Sequence, residues 1–170
     1  MKILIYPHEI LKRKADPIKR IDGTLQSFID AMIETMYQAD GVGLAANQVG
    51  NPIQVIVYDC APDKERGKSP VVLLNPRIVE SSGEMLSEEG CLSVPGYCAK
   101  IKRADRVCIR AFDREGKEME IEAVGGLLAK CLQHEIDHLH GVCFVERLSP
   151  VKKALFKKKW AKMRHSHEKD

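Results

Sequence analysis

At 170 residues the chain has the length of one compact domain, and its hydrophobic (44%) and charged (30%) fractions exclude disordered and fibrous classes. No apolar run approaches the ~20 residues of a membrane span, and the opening MKILIYPHEILKRKADP mixes charges into a short apolar run unlike a secretory leader. The expectation is a cytoplasmic protein with reduced thiols and no membrane partner. The net charge of +3 is uneven: residues 149–170 carry +6, leaving −3 for residues 1–148.

In chain order, residues 24–39 set Leu25, Phe28, Ile29, Met32, Ile33 and Met36 at helical spacing, and Asp40-Gly41 stops that helix. GVGLAANQVG (41–50) reads as a glycine-rich loop. IQVIVYD (53–59) and VVLLNP (71–76) read as strands joined by the polar loop 61–70. EEGCLSVPGY (88–97) reads as an exposed, extended segment. DRVCIRAF (105–112) and EMEIEAV (118–124) form a hairpin, in which Met119, Ile121 and Ala123 alternate with glutamates. Gly125-Gly126 opens a helix that runs to about Leu139. Ser149 as N-cap and Pro150 at the first position start a last helix. The sum is an α+β domain of mostly antiparallel strands wrapped around a central helix. Residues 1–148 form its body, and 149–170 a basic C-terminal helix and tail of the same fold.

HEIDH (134–138) in the central helix matches H-E-x-x-H. Residues four apart share a helix face, so His134 and His138 can reach one ion while Glu135 projects beside it. Leu127, Leu128, Leu132, Ile136 and Leu139 supply the apolar pattern such a helix needs. The competing reading is a surface helix with two incidental histidines. A catalytic site of this type takes a third protein ligand and leaves one position open. The downstream search fails: Gly141 fits the extended motif, but Phe144 stands where its last histidine belongs. Glu146 is too close, His140 faces elsewhere on the helix, and His165 and His167 lie in the tail. Of the six cysteines (Cys60, Cys91, Cys98, Cys108, Cys131 and Cys143), no two have C-x-x-C spacing and most read as core filler, Cys60 and Cys108 from their strand-like runs. Cys91, flanked by Gly90 on the extended segment, is the exception, placed where a thiolate reaches a metal.

GVGLAANQ (41–48), EGCLS (89–93) and HEIDH, in this order and spacing, resemble the peptide deformylases, which remove the formyl group from the N-terminal methionine of new bacterial polypeptides. The resemblance covers nearly the whole chain. GVGLAA is not a dinucleotide fingerprint, because a helix precedes it where a strand is required. The resemblance implies Cys91, His134 and His138 as metal ligands and Glu135 as the proton-transfer group. It assigns oxyanion stabilisation to the Gln48 amide and the Leu92 backbone N–H, and it implies Fe2+ as the ion, with Zn2+, Ni2+ or Co2+ able to substitute.

An N-formylmethionyl peptide is then expected to lie as an added strand between Val42-Gly43 and Gly90, with small Gly43 permitting its close approach. Leu127 and Cys131, on the metal-facing side of the helix, are candidates for the methionine pocket or simply core. Cys98 departs from the basic residue many bacterial relatives carry there. The basic C-terminal helix, anchored through Val151, Leu155 and Trp160, is expected to dock on the ribosome near the nascent-chain exit, with no sequence-specific nucleic acid read. Its removal beyond about Leu155 is expected to spare the active site. Two other readings stay open: a zinc peptidase cleaving ordinary peptide bonds, and a non-enzymatic module held together by zinc.

Overall fold

A computed structural model describes residues 1–67 and 69–167, with side chains through Arg164. Of the charges counted above, Lys68 in the polar loop and Glu168, Lys169 and Asp170 in the tail lie outside the described residues.

Helix α1 (Gly23–Gln38) starts where the Asp22 carboxylate accepts from Leu25 N at 2.9 Å. It ends at Asp40, whose φ of 55° is left-handed, with Gly41 N donating to Met36 O at 2.9 Å. Seven strands follow: β1 (Gly43–Ala45), β2 (Val55–Tyr58), β3 (Val71–Ser82), β4 (Met85–Cys91), β5 (Val94–Arg103), β6 (Arg106–Phe112) and β7 (Glu118–Val124). Helix α2 (Gly126–Leu139) and helix α3 (Pro150–His167) complete the order. An antiparallel five-stranded sheet runs β1-β2-β3-β6-β7, and β4-β5 form a separate antiparallel pair.

Strand alternation explains how two helices share one sheet. Val55, Val57, Val72 and Leu74 pack with Leu25, Ile29, Met32 and Met36 of α1. Ile56, Leu73 and Ile109 point the other way, onto Ala129, Leu132 and Ile136 of α2. Covered on both faces, β2 reads as a continuous apolar run. A third cluster joins Val94 and Ile101 of β5 to Phe144, Leu148, Phe156 and Trp160.

The expected α+β fold, with mostly antiparallel strands around a central helix, is the one observed; four local expectations change. The segment 41–50 is not all loop: Leu44 and Ala45 pair with Val57 and Ile56, and Ala46–Val49 forms a 3-10 turn. The strand expected to end at Pro76 continues to Ser82, because Asn75 and Pro76 sit in a register shift where a missing N–H costs no ladder bond. The segment 88–97 is not merely extended but spans the β4-β5 pairing.

Helix α3, capped by Ser149 Oγ accepting from Lys152 N at 3.3 Å, is not anchored by Val151 and Leu155, which are 71% and 61% exposed. Trp160 does face the body as expected, its Nε1 donating to Tyr6 O at 3.1 Å, but its partner in that role is Phe156, four residues before it. Cutting the chain after Leu155 would strip two buried aromatics from the third cluster, at a cost of about 3–5 kcal/mol each. That truncation tests folding, not docking.

Candidate active site

Two elements bring the donor atoms together. His134 and His138 lie four apart on α2, and Cys91 closes β4 just before the tight turn into β5. His138 Nε2 lies 3.2 Å from His134 Nε2 and 3.3 Å from Cys91 Sγ, and all three donor atoms fall within 4.8 Å of one another. Tetrahedral ligation at about 2.3 Å to sulfur and about 2.0–2.1 Å to nitrogen places N···N near ~3.3 Å and S···N near ~3.6 Å. The donors therefore fit one divalent transition-metal ion. No fourth His, Cys or carboxylate joins this group among the described residues, which leaves a coordination position for a non-protein ligand.

The ligands are held from behind by side chains that the sequence reading missed. His134 Nδ1 pairs with Glu89 Oε1 at 2.9 Å, which fixes the ring and aims Nε2 at the centre. Both Glu89 oxygens accept from Arg103, each at 2.7 Å. Arg103 also donates to Asp137 Oδ2 at 2.6 Å, and Arg147 grips both oxygens of the same carboxylate. Burial would raise the Glu89 carboxyl, but the Arg103 and His134 hydrogen bonds outweigh it and hold it down to about 2. Burial pushes the His138 imidazole well down and keeps it neutral, as a metal ligand must be. For His134 burial is outweighed by contacts with Cys91 and Glu89, which favour the protonated ring; a cation's charge reverses that preference. Asp137 lies inside HEIDH and Glu89 opens EGCLS, so each stood within a recognised motif without a role being read from it.

Glu135 is 4% exposed, and its Oε2 has no hydrogen-bond partner among the described residues. Burial pushes its carboxyl up to about 7 while the charge of His134 pulls it down. A carboxyl poised near neutrality with an unengaged oxygen is suited to take and release a proton. Gln48 is oriented by three contacts. Its Oε1 accepts from Ala45 N at 2.9 Å, and its Nε2 donates to Ser93 Oγ at 3.1 Å and Cys91 Sγ at 3.4 Å.

A cleft of about 420 Å³ opens in front of these groups. It is lined by every expected peptide-binding residue, namely Val42, Gly43, Gly90, Leu127 and Cys131, together with Gln48, Cys91, Leu92, His134 and Glu135. Gly43 of β1, an edge of the five-stranded sheet, and Glu89, Gly90 and Cys91 of β4, an edge of the strand pair, line it from the two sheets. Leu127 is 38% exposed and belongs to the wall rather than the core, whereas Cys131 is buried and lines the floor. The structure gives the glycine at 43 a reason of its own. A Cβ there would stand 2.7 Å from Glu135 Oε1 and 2.9 Å from Cys131 Sγ, so helix α2 occupies that space. Cys98 is exposed beside Gly90, its sulfur 3.2 Å from where a Gly90 Cβ would be.

Comparison with known proteins agrees with this geometry. The family model described as polypeptide deformylase matches residues 1–154. A peptide deformylase of Thermodesulfovibrio yellowstonii is 54% identical over 94% of this chain and 96% of its own. Peptide deformylase 3 of Shewanella oneidensis is 52% identical over 94% and 95%. The crystal structure of a Legionella pneumophila peptide deformylase superposes with a TM-score of 0.92 at 45% identity, covering 99% of this chain and 98% of that one. Family match, relatives and fold all converge on a metal-dependent hydrolase, and the chain belongs to the peptide deformylase family, whose members remove the N-formyl group from nascent polypeptides.

Proposed function

We propose that Cys91, His134 and His138 hold a ferrous ion and that Glu135 moves the protons of formyl-group hydrolysis. The observation that carries this reading is the unpartnered, buried Glu135 Oε2 beside three donor atoms at ligand spacing. A divalent ion held there by Cys91, His134 and His138 would supply Lewis acidity and make an attacking water more acidic. Glu135 accepts the proton of the attacking water and passes it to the departing amine, acting first as base and then as acid. The Gln48 amide, held by Ala45 and Ser93, turns its second N–H from Cys91 Sγ to donate, with the Leu92 N–H, to the oxygen that gains charge. Each such donor is commonly worth about 3 kcal/mol in the transition state.

The substrate backbone pairs with the free edges of β1 and β4. Antiparallel alternation supports the first contact: Val42 O accepts from Asp59 N on the β2 side, whereas Ala45 N turns to Gln48. Gly43, in phase with Ala45, presents its backbone groups to the cleft. Leu127 and Cys131 form the methionine pocket, whose apolar wall suits a flexible thioether.

Formate release from a formyl-Met-Ala-Ser peptide, by protein prepared anaerobically with Fe2+, tests the reading directly. The unformylated peptide should remain intact; its cleavage would favour a zinc peptidase instead. Under air the ferrous form should lose activity faster than nickel- or zinc-loaded protein, because the iron and the Cys91 thiolate are both oxidisable. Equal half-lives for all three forms would rule against iron.

We further propose that the protein works in the cytoplasm and that α3 docks on the ribosome through its exposed lysines. Lys152, Lys157, Lys158 and Lys162 are exposed, while Lys153 pairs with Glu146 at 3.1 Å and Lys159 lies over the Tyr97 ring. Reversing the four exposed charges to glutamate should weaken ribosome co-sedimentation and lower its log–log salt slope by about one per lysine. Turnover of short formyl-peptides should stay within about twofold, since none of the four lines the cleft. Unchanged co-sedimentation would reduce this face to a solvated one.

A further inference from the structure

The loop after β2 is tied to the entrance of β1 by bonds that the hydrolytic chemistry does not use. Asp59, 2% exposed, accepts from Tyr37 Oη at 2.7 Å, Gly67 N at 2.8 Å and Ala61 N at 3.1 Å, which closes residues 59–67 into a turn. The turn lays Arg66, whose side chain is 19% exposed, across the end of α1. Its Nη1 donates to Asp40 Oδ1 at 2.9 Å and its Nη2 to the carbonyl of Gly41. The Asp40 side chain is 93% exposed, so that ion pair alone contributes little. The bond to the Gly41 carbonyl has more consequence. Together with Asp59 N to Val42 O at 2.9 Å, it holds two successive carbonyls immediately before Gly43.

Gly41-Val42-Gly43 would otherwise be a loose entry to the cleft, since glycine loses more backbone freedom on ordering than any other residue. An edge that must order when peptide binds does so at the expense of affinity; an edge fixed beforehand does not. We propose that Arg66 is a positioning residue for the peptide substrate: by capping the Gly41 carbonyl it fixes the Gly43 edge along which the substrate backbone pairs. It touches neither the formyl group nor the ion's donors. The inference rests on the reading of Gly43 as a substrate-pairing edge, and it predicts an effect confined to substrates long enough to use that edge.

The test compares wild-type, Arg66→Ala and Arg66→Lys holoenzymes on formyl-Met-Ala-Ser and on formylmethionine methyl ester, which lacks the following peptide N–H. In Arg66→Ala the KM for the tripeptide should rise about tenfold, the worth of one hydrogen bond to a charged donor. Its kcat, and both constants for the methyl ester, should stay within about twofold. Arg66→Lys, which keeps the charge and one donor direction, should show a smaller rise of the same selectivity and carries the test should the alanine variant not fold. A KM rise equal for both substrates, or no rise for the tripeptide, overturns the proposal. If wild-type enzyme itself shows no KM preference for the tripeptide, the Gly43 edge reading has failed, and the proposal with it. A preference that survives intact in both variants refutes the Arg66 role alone.

Discussion

Replacing Glu135 by alanine should leave the bound ion in place and lower kcat by about 10²- to 10⁴-fold, the range assigned to a positioned acid–base group. The three ligand atoms belong to other side chains, and Glu135 Oε2 bonds none of them among the described residues. Its carboxylate is instead an expensive group to bury: 4% exposed, with one oxygen unpartnered. Removing it should therefore hold or raise the melting temperature, as expected of a side chain kept for chemistry rather than for folding. Metal content by atomic emission, kcat on formyl-Met-Ala-Ser and a thermal melt read the three parts separately. Loss of the ion, or near-normal kcat, would remove Glu135 from the role given to it.

How much of this site the sequence disclosed depended on how local each part was. His134, Glu135 and His138 lie within one helical turn or so, where spacing alone fixes their common face. Cys91 and Gln48 are distant from that helix in the chain and became visible only through the motifs around them. The support behind the ligands was not visible, because Glu89, Arg103 and Asp137 meet across β4, β5 and α2, and nothing local announces a pairing between segments so far apart. The same limit explains α3. Its lysines and the anchoring Trp160 were plain, but the phase that buries Phe156 and exposes Val151 and Leu155 is set by the aromatic cluster around Tyr6 and Tyr97. Composition misled at 41–50, where the glycines suggested a loop. Leu44 and Ala45 nonetheless meet strand partners, and Gly43 is required by the nearness of Glu135 and Cys131.

Among the single substitutions, Arg103→Ala should produce the largest loss of stability and loosen the ion at the same time. Arg103 is the only arginine or lysine among the described residues bonded to Glu89, and the two side chains are 2% and 1% exposed. Deleting it strands a buried carboxylate, for which about 3–5 kcal/mol is the usual cost. At about 2–4 °C per kcal/mol for a chain of this size, the melting temperature should fall by roughly 6–20 °C. Asp137 suffers less, since Arg147 still holds both its oxygens. The Glu89 carboxylate also orients His134, so the stranded anion should shift or take up a proton and slacken that ligand, weakening metal affinity by about 10- to 100-fold. The double variant Arg103→Met with Glu89→Gln separates the two effects. Neutralising both partners should return much of the lost stability, because no unpaired charge then remains buried. It should not return the metal affinity, because an amide beside His134 polarises the ring less than a carboxylate does. Loss of metal to a chelator, followed alongside the melts, decides the matter. A double variant that recovers stability and metal retention together would show that Glu89 and Arg103 serve only the fold; one that recovers stability while still shedding its ion would assign the pair to holding His134 in position.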